Sequence, residues 1–303
     1  MLRFIGRRIL FILLILVGIV FFVHLGMHMA RNSEMSDPSH RVGDFARLAW
    51  TDTQGFLTRT LRGDWGRVRV ASGTLPMQEV LREAYTNSMG LLLVSLLGSA
   101  LLGTLIGALA ALIKRRAIST SLLALTVLGI STPSFFAGLL LQVGEIKFLA
   151  LTGKRLVSIA GHGWDVQHML MPVLVLSARP LAYLTRATFI AIDRAMQEDY
   201  VRTAFSKGLS LEQTVIEHVL RNIAVPVLTA VGVSLRFSLS TLPVVELFFA
   251  WPGLGRGLLE AINARQTTTV VVLATALGLT LLLVNLLLDV VYRLVDPRMR
   301  DLE

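Results

Sequence analysis

The sequence predicts an all-α polytopic membrane protein with six transmembrane helices. Three observations carry this reading. Of 303 residues, 54% are hydrophobic and 16% charged, whereas a soluble globular chain is about 25% charged; mean hydropathy is +0.67. Six apolar stretches each reach the roughly 20 residues that a helix needs to cross a bilayer core. If those stretches alternate in direction, the basic residues collect on one side.

The first span, residues 9–29, follows Arg3, Arg7 and Arg8. A basic start before an apolar run resembles a secretory signal. This run is longer than a signal's apolar core, and no small-residue cleavage site follows it, so it reads as an uncleaved span. Residues 30–87 form an external loop. Structureless loops beyond about 15 residues are uncommon, so this one is expected to carry structure of its own. Phe45, Leu48, Trp50, Phe56, Leu57 and Leu61 suit a small helical cap, and Gly63-Asp-Trp-Gly66 reads as a turn. The second span, 88–113, contains Gly103 and Gly107, whose spacing lets a neighbouring helix approach closely. The third covers 121–143. The fourth, 169–192, is the weakest because it carries Arg179, Pro180 and Arg186. The fifth covers 224–249, and the sixth, 269–291, is apolar until Asn285 and Asp289. The chain thus divides into a terminal segment with its span (1–29), the external loop (30–87) and a five-span core (88–303).

Charge gives the orientation. Thirteen basic residues share one side: Arg3, Arg7 and Arg8; Lys114, Arg115 and Arg116; Arg194, Arg202, Lys207 and Arg221; Arg293, Arg298 and Arg300. Five take the other: Lys147, Lys154, Arg155, Arg256 and Arg265. The excess puts both termini in the cytoplasm. The net charge of +9 would also suit a nucleic-acid binder. Its concentration in short loops on one side fits a lipid bilayer instead, and no nucleic-acid partner is expected.

Several chemistries lack their residues. No cysteine is present, which removes disulfides, thiolate metal sites and thiol nucleophiles. No Gly-x-x-x-x-Gly-Lys-Ser/Thr occurs, so an ATPase would have to be a separate chain. Gly-x-Ser-x-Gly and His-Glu-x-x-His are also absent, and an intramembrane enzyme ranks last. His24 and His28 lie four apart without a third ligand in their span and suit interfacial packing; His162 and His168 carry no pattern. No cofactor or metal is implied. An ion- or proton-coupled secondary transporter or channel is the alternative function. It would use intramembrane ionisable groups, for which Arg179, Arg186, Arg236, Glu246 and Asp289 are the candidates. Arg186, Glu246 and Asp289 stand near span ends, where anchoring or helix pairing also accounts for them.

The loop between spans four and five is the most informative stretch. It has helix formers up to Lys207 and then Gly208, a helix stop with a residue able to take positive φ. Ser210 and Gln213 form a capping-box pattern for a new, short helix. On it Leu211, Val215, Ile216, Val219 and Leu220 fall on one side, and Glu212, Gln213 and Glu217 elsewhere. Asp199-Tyr-Val-Arg202-Thr-Ala204, then Lys207-Gly208-Leu-Ser210, resembles the EAA loop of ABC-importer permeases in its peptide-permease version. Other segments resemble that family in order: Arg3-Phe-Ile-x-Arg-Arg8, Leu61-Arg-Gly-Asp-Trp-Gly66, Thr132-Pro-Ser-Phe-Phe136, Glu246-Leu-Phe-Phe-Ala-Trp-Pro-Gly-Leu-Gly255 and Asp289-Val-Val-Tyr-x-x-Val-Asp-Pro-Arg298.

The resemblance implies the first-type permease subunit of a peptide importer in a bacterial inner membrane. Its implied partners are a second permease subunit, two cytoplasmic ATP-binding subunits and an external solute-binding protein. ATP-driven closure would move the segment 210–220 and rock the spans around a central path. The coupling residues implied are Asp199, Tyr200, Arg202, Ala204, Lys207, Gly208, Ser210, Leu211, Val215 and Ile216. For the path, Arg236, Arg179, Ser240 and Glu246 are the candidates. Peptides lead as substrate, followed by nickel chelates and sugars.

Overall fold

A computed structural model describes residues 2–33, 42–70, 73–113 and 115–295. Lys114, Arg298 and Arg300 of the charge count lie outside the described residues, as do parts of the external loop and the end of the Asp289–Arg298 motif. Six helices among the described residues are long and apolar enough to cross a membrane. They lie in α1 (Leu2–Ser33), α3 (Met77–Leu112), α5 (Ser134–Thr152), α6 (Val166–Ala195), the segment Leu211–Phe248 and α11 (Thr267–Val295). The stretch expected as an external loop contributes α2 (Val42–Leu61) and a two-stranded antiparallel hairpin, β1 (Arg67–Val70) with β2 (Gly73–Pro76). The remaining helices are α4 (Arg116–Ser131), α7 (Asp199–Ser206), α8 (Leu211–Thr214), α9 (Leu220–Phe248) and α10 (Leu254–Asn263).

Two sequence expectations need correction. The third span is not one helix. Its stretch 121–143 is divided between α4 and α5, which meet at Thr132-Pro133. Proline biases the preceding residue to extended backbone, and Thr132 has ψ 122°. Lys147, read as a loop residue, therefore lies on α5. The fifth span does not begin near residue 224 after a separate amphipathic helix. From Leu211 the chain is helical without interruption through a π turn, Val215–Val219, into α9. Glu212, Gln213, Glu217 and Arg221 mark where the helix leaves the apolar phase, not where it ends.

The chain packs as two compact units. The first comprises Met1–Ser88 with Pro252–Leu287. Its core joins Val20 of α1, Phe56 of α2, Val68 of β1, Met77 and Ala84 of α3, Leu254 of α10 and Val271 to Leu273 of α11. The expected cap is thus α2, with Phe45 and Phe56 buried but Leu48, Trp50 and Leu61 exposed. The histidines of α1 serve packing against it. His24 is buried and bonded to the Val20 carbonyl at 2.9 Å, and His28 meets Asp52 at 2.8 Å. The expected turn at Gly63–Gly66 has positive φ at both glycines, and Asp64 accepts from the Gly66 N–H at 3.0 Å. At the start of α10 the Ser88 hydroxyl accepts from the Leu254 N–H at 2.8 Å, and Asn87 donates to the Pro252 carbonyl at 3.0 Å.

The second unit comprises Met89–Trp251 with Leu288–Glu303. Here the Gly103/Gly107 pair works as expected. A Cβ at Gly103 would stand 2.9 Å from the Leu181 carbonyl oxygen, and one at Gly107 would meet Thr185 and Thr188. The absent side chains let α3 lie directly on α6. Gly129 does the same for α4, opposite Ala178. Asp165 caps α6 by accepting from the His168 N–H at 3.1 Å. The His168 side-chain hydrogen bond is the main cause that holds the Asp165 carboxyl below its ordinary range. His162 stacks edge-on against Trp164 and Trp251, with Trp251 fully buried.

Candidate functional site: the coupling loop and a cavity at a broken helix

The loop after α6 is built from a helix stop and a helix start. α7 buries Val201 against Ile192, Ala195, Val219 and Ile223, and Ala204 is buried as well. The stop is a left-handed turn: Gly208 has φ +84°, its N–H reaches the Phe205 carbonyl at 2.9 Å, and the Leu209 N–H reaches the Ala204 carbonyl at 3.2 Å. These paired bonds satisfy carbonyls that a helix end would otherwise orphan. The start is a complete capping box. Gln213 N–H donates to Ser210 Oγ at 3.2 Å, and Ser210 N–H donates to Gln213 Oε1 at 3.0 Å.

The ten residues expected to couple divide by burial. Ala204 and Val215 are core, and Tyr200 is half-buried. Val215 and Val219 are corrections, since both were expected on the exposed apolar side; Val215 is 8% exposed, and Val219 is buried with Ile192, Ala195 and Val201. Asp199, Arg202, Lys207, Gly208, Ser210, Leu211 and Ile216 are exposed. Arg202 and Asp199 pair at 3.4 Å on the surface, where such a bridge is worth little. The exposed apolar surface here comes from Leu211, Ile216, Leu220 and Phe205. Phe205 was not singled out from the sequence. Its signal was available, because Val201 and Ala204 one turn apart define the inner side of α7 and leave Phe205 outside.

The path candidates do not form one site. Arg236 lies 3.7 Å from Asp289 of α11, with the two side chains 43% and 24% exposed. Ser240 is exposed and bonds back to the Arg236 carbonyl at 3.0 Å. Glu246 is fully buried at 0%. Arg179 stands apart from these three. Its guanidinium carbon is 5.3 Å from the Phe237 ring centroid, within cation–π range.

Arg179 borders a cavity of about 370 Å³ formed where α4 ends and α5 begins. Thr132, Pro133 and Ser134 supply one wall; Pro180, Phe237 and Ser238 supply others. Pro180 has no N–H, so α6 is opened at this level as well. The cavity was not legible in the sequence. Thr132-Pro133 signalled a break, but nothing placed that break beside Arg179.

Both the loop and the cavity lie in residues 103–301, which match the family described as "Binding-protein-dependent transport system inner membrane component". The chain belongs to that family. It is a membrane permease subunit of such a transport system, with six helices able to span. The glutathione transport system permease protein GsiC of Salmonella typhimurium strain LT2 is 32% identical over 245 residues, covering 81% of this permease and 78% of GsiC. The dipeptide transport system permease protein DppB of Escherichia coli K12 is 28% identical over 338 residues, covering 99% of each chain.

Proposed function

We propose that this permease serves an ATP-driven importer of peptides or closely related solutes in a bacterial inner membrane, with both termini cytoplasmic. It pairs with a second permease subunit, two cytoplasmic ATP-binding subunits and an external solute-binding protein. The observation that carries this is the loop after α6: a left-handed stop at Gly208, a capped restart at Ser210, and exposed Leu211 and Ile216 on a helix continuous with a span. A rigid start bearing exposed apolar side chains suits insertion into a groove on a partner. The chain has no phosphate-binding loop of its own, so that partner is the ATPase. Peptides lead as substrate because the two relatives are named for glutathione and dipeptide transport. The Arg236–Asp289 contact and the burial of Glu246 support helix-pairing roles for these residues, leaving Arg179 as the favoured path residue. The division into 1–29, an external loop 30–87 and a core 88–303 follows the same arrangement.

The test is affinity capture of the tagged chain from its native membranes. The expected result is a complex with a second permease and a P-loop ATPase, and uptake that stops when ATP hydrolysis is blocked. Uptake that continues on an ion gradient without any ATPase would sink this reading in favour of a secondary transporter. Orientation is checked by reporter fusions. Those at Arg116 and Phe205 should report cytoplasm, and those at Gly55 and Gly161 the outside. A fusion at Phe205 that reports the outside removes the loop from the ATPase altogether.

A further inference from the structure

We propose that the cavity between the end of α4 and the start of α5 is a carboxylate-binding subsite on the translocation path, with Arg179 as its cation. The proposal rests on the permease reading and adds to it the charge that the path holds.

Four observations converge. First, α5 runs 19 residues from Ser134, and its N-terminus has no side-chain cap. Its first N–H groups and the positive end of its dipole therefore favour an anion. Second, Arg179 lines the same cavity, and among the described residues no carboxylate lies within ion-pair distance of it. Its guanidinium fork matches a carboxylate in two parallel hydrogen bonds. No Asp or Glu lines the cavity. Third, Ser238 lines it, is 1% exposed, and its hydroxyl has no hydrogen-bond partner. The contrast along α9 is informative. Ser240 and Thr241 bond back to their own helix at the Arg236 and Phe237 carbonyls, whereas Ser238 does not. A buried hydroxyl without a protein partner has its bonding capacity free for a ligand in the cavity it lines. Fourth, Arg179 lies near the middle of α6, roughly 20 Å from either end at 1.5 Å per residue, so the broken helix meets it near the middle of a span. Broken helices whose N-termini face an anionic group at the midplane are a recurring way to hold a charged solute without water.

The remaining walls decide the class of anion. Phe237, Pro133, Pro180 and Val244 give mostly apolar lining around one cationic pole. That suits an organic carboxylate with an apolar body, such as the C-terminus of a short peptide, over an inorganic anion. About 370 Å³ is at the small end of ligand cavities, enough for the carboxyl end and one side chain.

The chain has no cysteine, so one introduced thiol reports one place. Thr241→Cys puts it on the cavity wall, and Ser134→Cys on the opposite wall. Membranes holding the assembled complex are labelled with an anionic and a cationic methanethiosulfonate, and the rate ratio is compared with that at an exposed Ser206→Cys. Both reagents attack the thiolate, so the ratio reads local potential and cancels thiol reactivity. At least about a tenfold preference for the anionic reagent is expected, given one unscreened cation nearby, and Arg179→Gln should abolish it. Leu-Leu should slow labelling and Leu-Leu-amide should not. Equal rates for both reagents, a preference that survives Arg179→Gln, protection by the amide, or no labelling at either position would each overturn the subsite. ATP-driven uptake in the same vesicles reports on the permease reading separately, since the labelling asymmetry does not depend on it.

Discussion

Gly208→Val should abolish ATP-driven uptake while the chain stays inserted. The reason is conformational. Gly208 sits at φ +84°, and a Cβ added there meets nothing within 4 Å. Steric clash is thus absent, and the whole cost is the left-handed backbone, about 1–2 kcal/mol for an ordinary residue and more for a β-branched one. The turn relaxes that cost by rotating out of the left-handed region, which breaks the Leu209-to-Ala204 bond and releases Ser210 from its capping position. The spans themselves lose no contact. Gly208→Ala should be milder, because alanine is the smaller offender in the same region. Leu211→Asp is the complementary variant: it leaves the turn intact and puts a charge into the exposed apolar surface. It should strip the ATPase from the membrane or uncouple hydrolysis from uptake. Three readouts separate the outcomes: chain level in the membrane, ATPase retained with it, and solute uptake. If both variants keep the ATPase and transport at the parent rate, the loop is an ordinary surface turn and the coupling assignment fails.

The second large effect is expected at Arg236 and Asp289. Each single neutralisation, Arg236→Gln or Asp289→Asn, leaves the other charge within a membrane-crossing helix. An Arg without its carboxylate at the centre of such a helix costs about 2.5–3.5 kcal/mol even on lenient scales. Their separation of 3.7 Å and partial exposure reduce what the pair contributes when intact, so for Asp289→Asn the penalty comes mainly from the guanidinium left behind. Asp289→Asn should lower the amount of assembled complex, and adding Arg236→Gln should recover most of it. A path role for Arg236 gives the opposite pattern: assembly unchanged, uptake reduced, and no rescue by Asp289→Asn.

Length and hydropathy were enough to read the number of spans, because a bilayer imposes a fixed thickness on any helix that crosses it. The loop after span four was equally legible. Its signals are local: Gly208 for a left-handed stop, Ser210 with Gln213 for a cap, and each acts within four residues. What was not legible depends on distant partners. Val215 and Val219 turned inward, and nothing in residues 211–220 says which side of the helix its neighbours cover or forecasts the π turn at Val215–Val219. The hairpin Arg67–Val70 with Gly73–Pro76 was passed over because four-residue strands are too short for periodicity to stand out. The cavity needed Pro133, Arg179 and Ser238 on three helices to be brought to one depth, which is a property of packing alone.

The unbroken helical run from Leu211 to Phe248 has a mechanical consequence. At 38 residues it is a rod of about 57 Å, longer than the bilayer is thick. A push on its Leu211 tip need not wait for any segment to fold or melt, because the helix runs on from the tip into the span. Force arrives at the far end as tilt and torsion, and its leverage is set by where the rod yields. Two yielding points are written in the sequence, since Pro226 and Pro243 each remove a hydrogen bond from the shaft; the structure adds a third, the π turn at Val215–Val219 that loosens its base. Between these joints the shaft is stiff, so the stroke delivered at the loop is divided among three compliant places, and replacing Pro226 or Pro243 with alanine would redistribute it without touching either end.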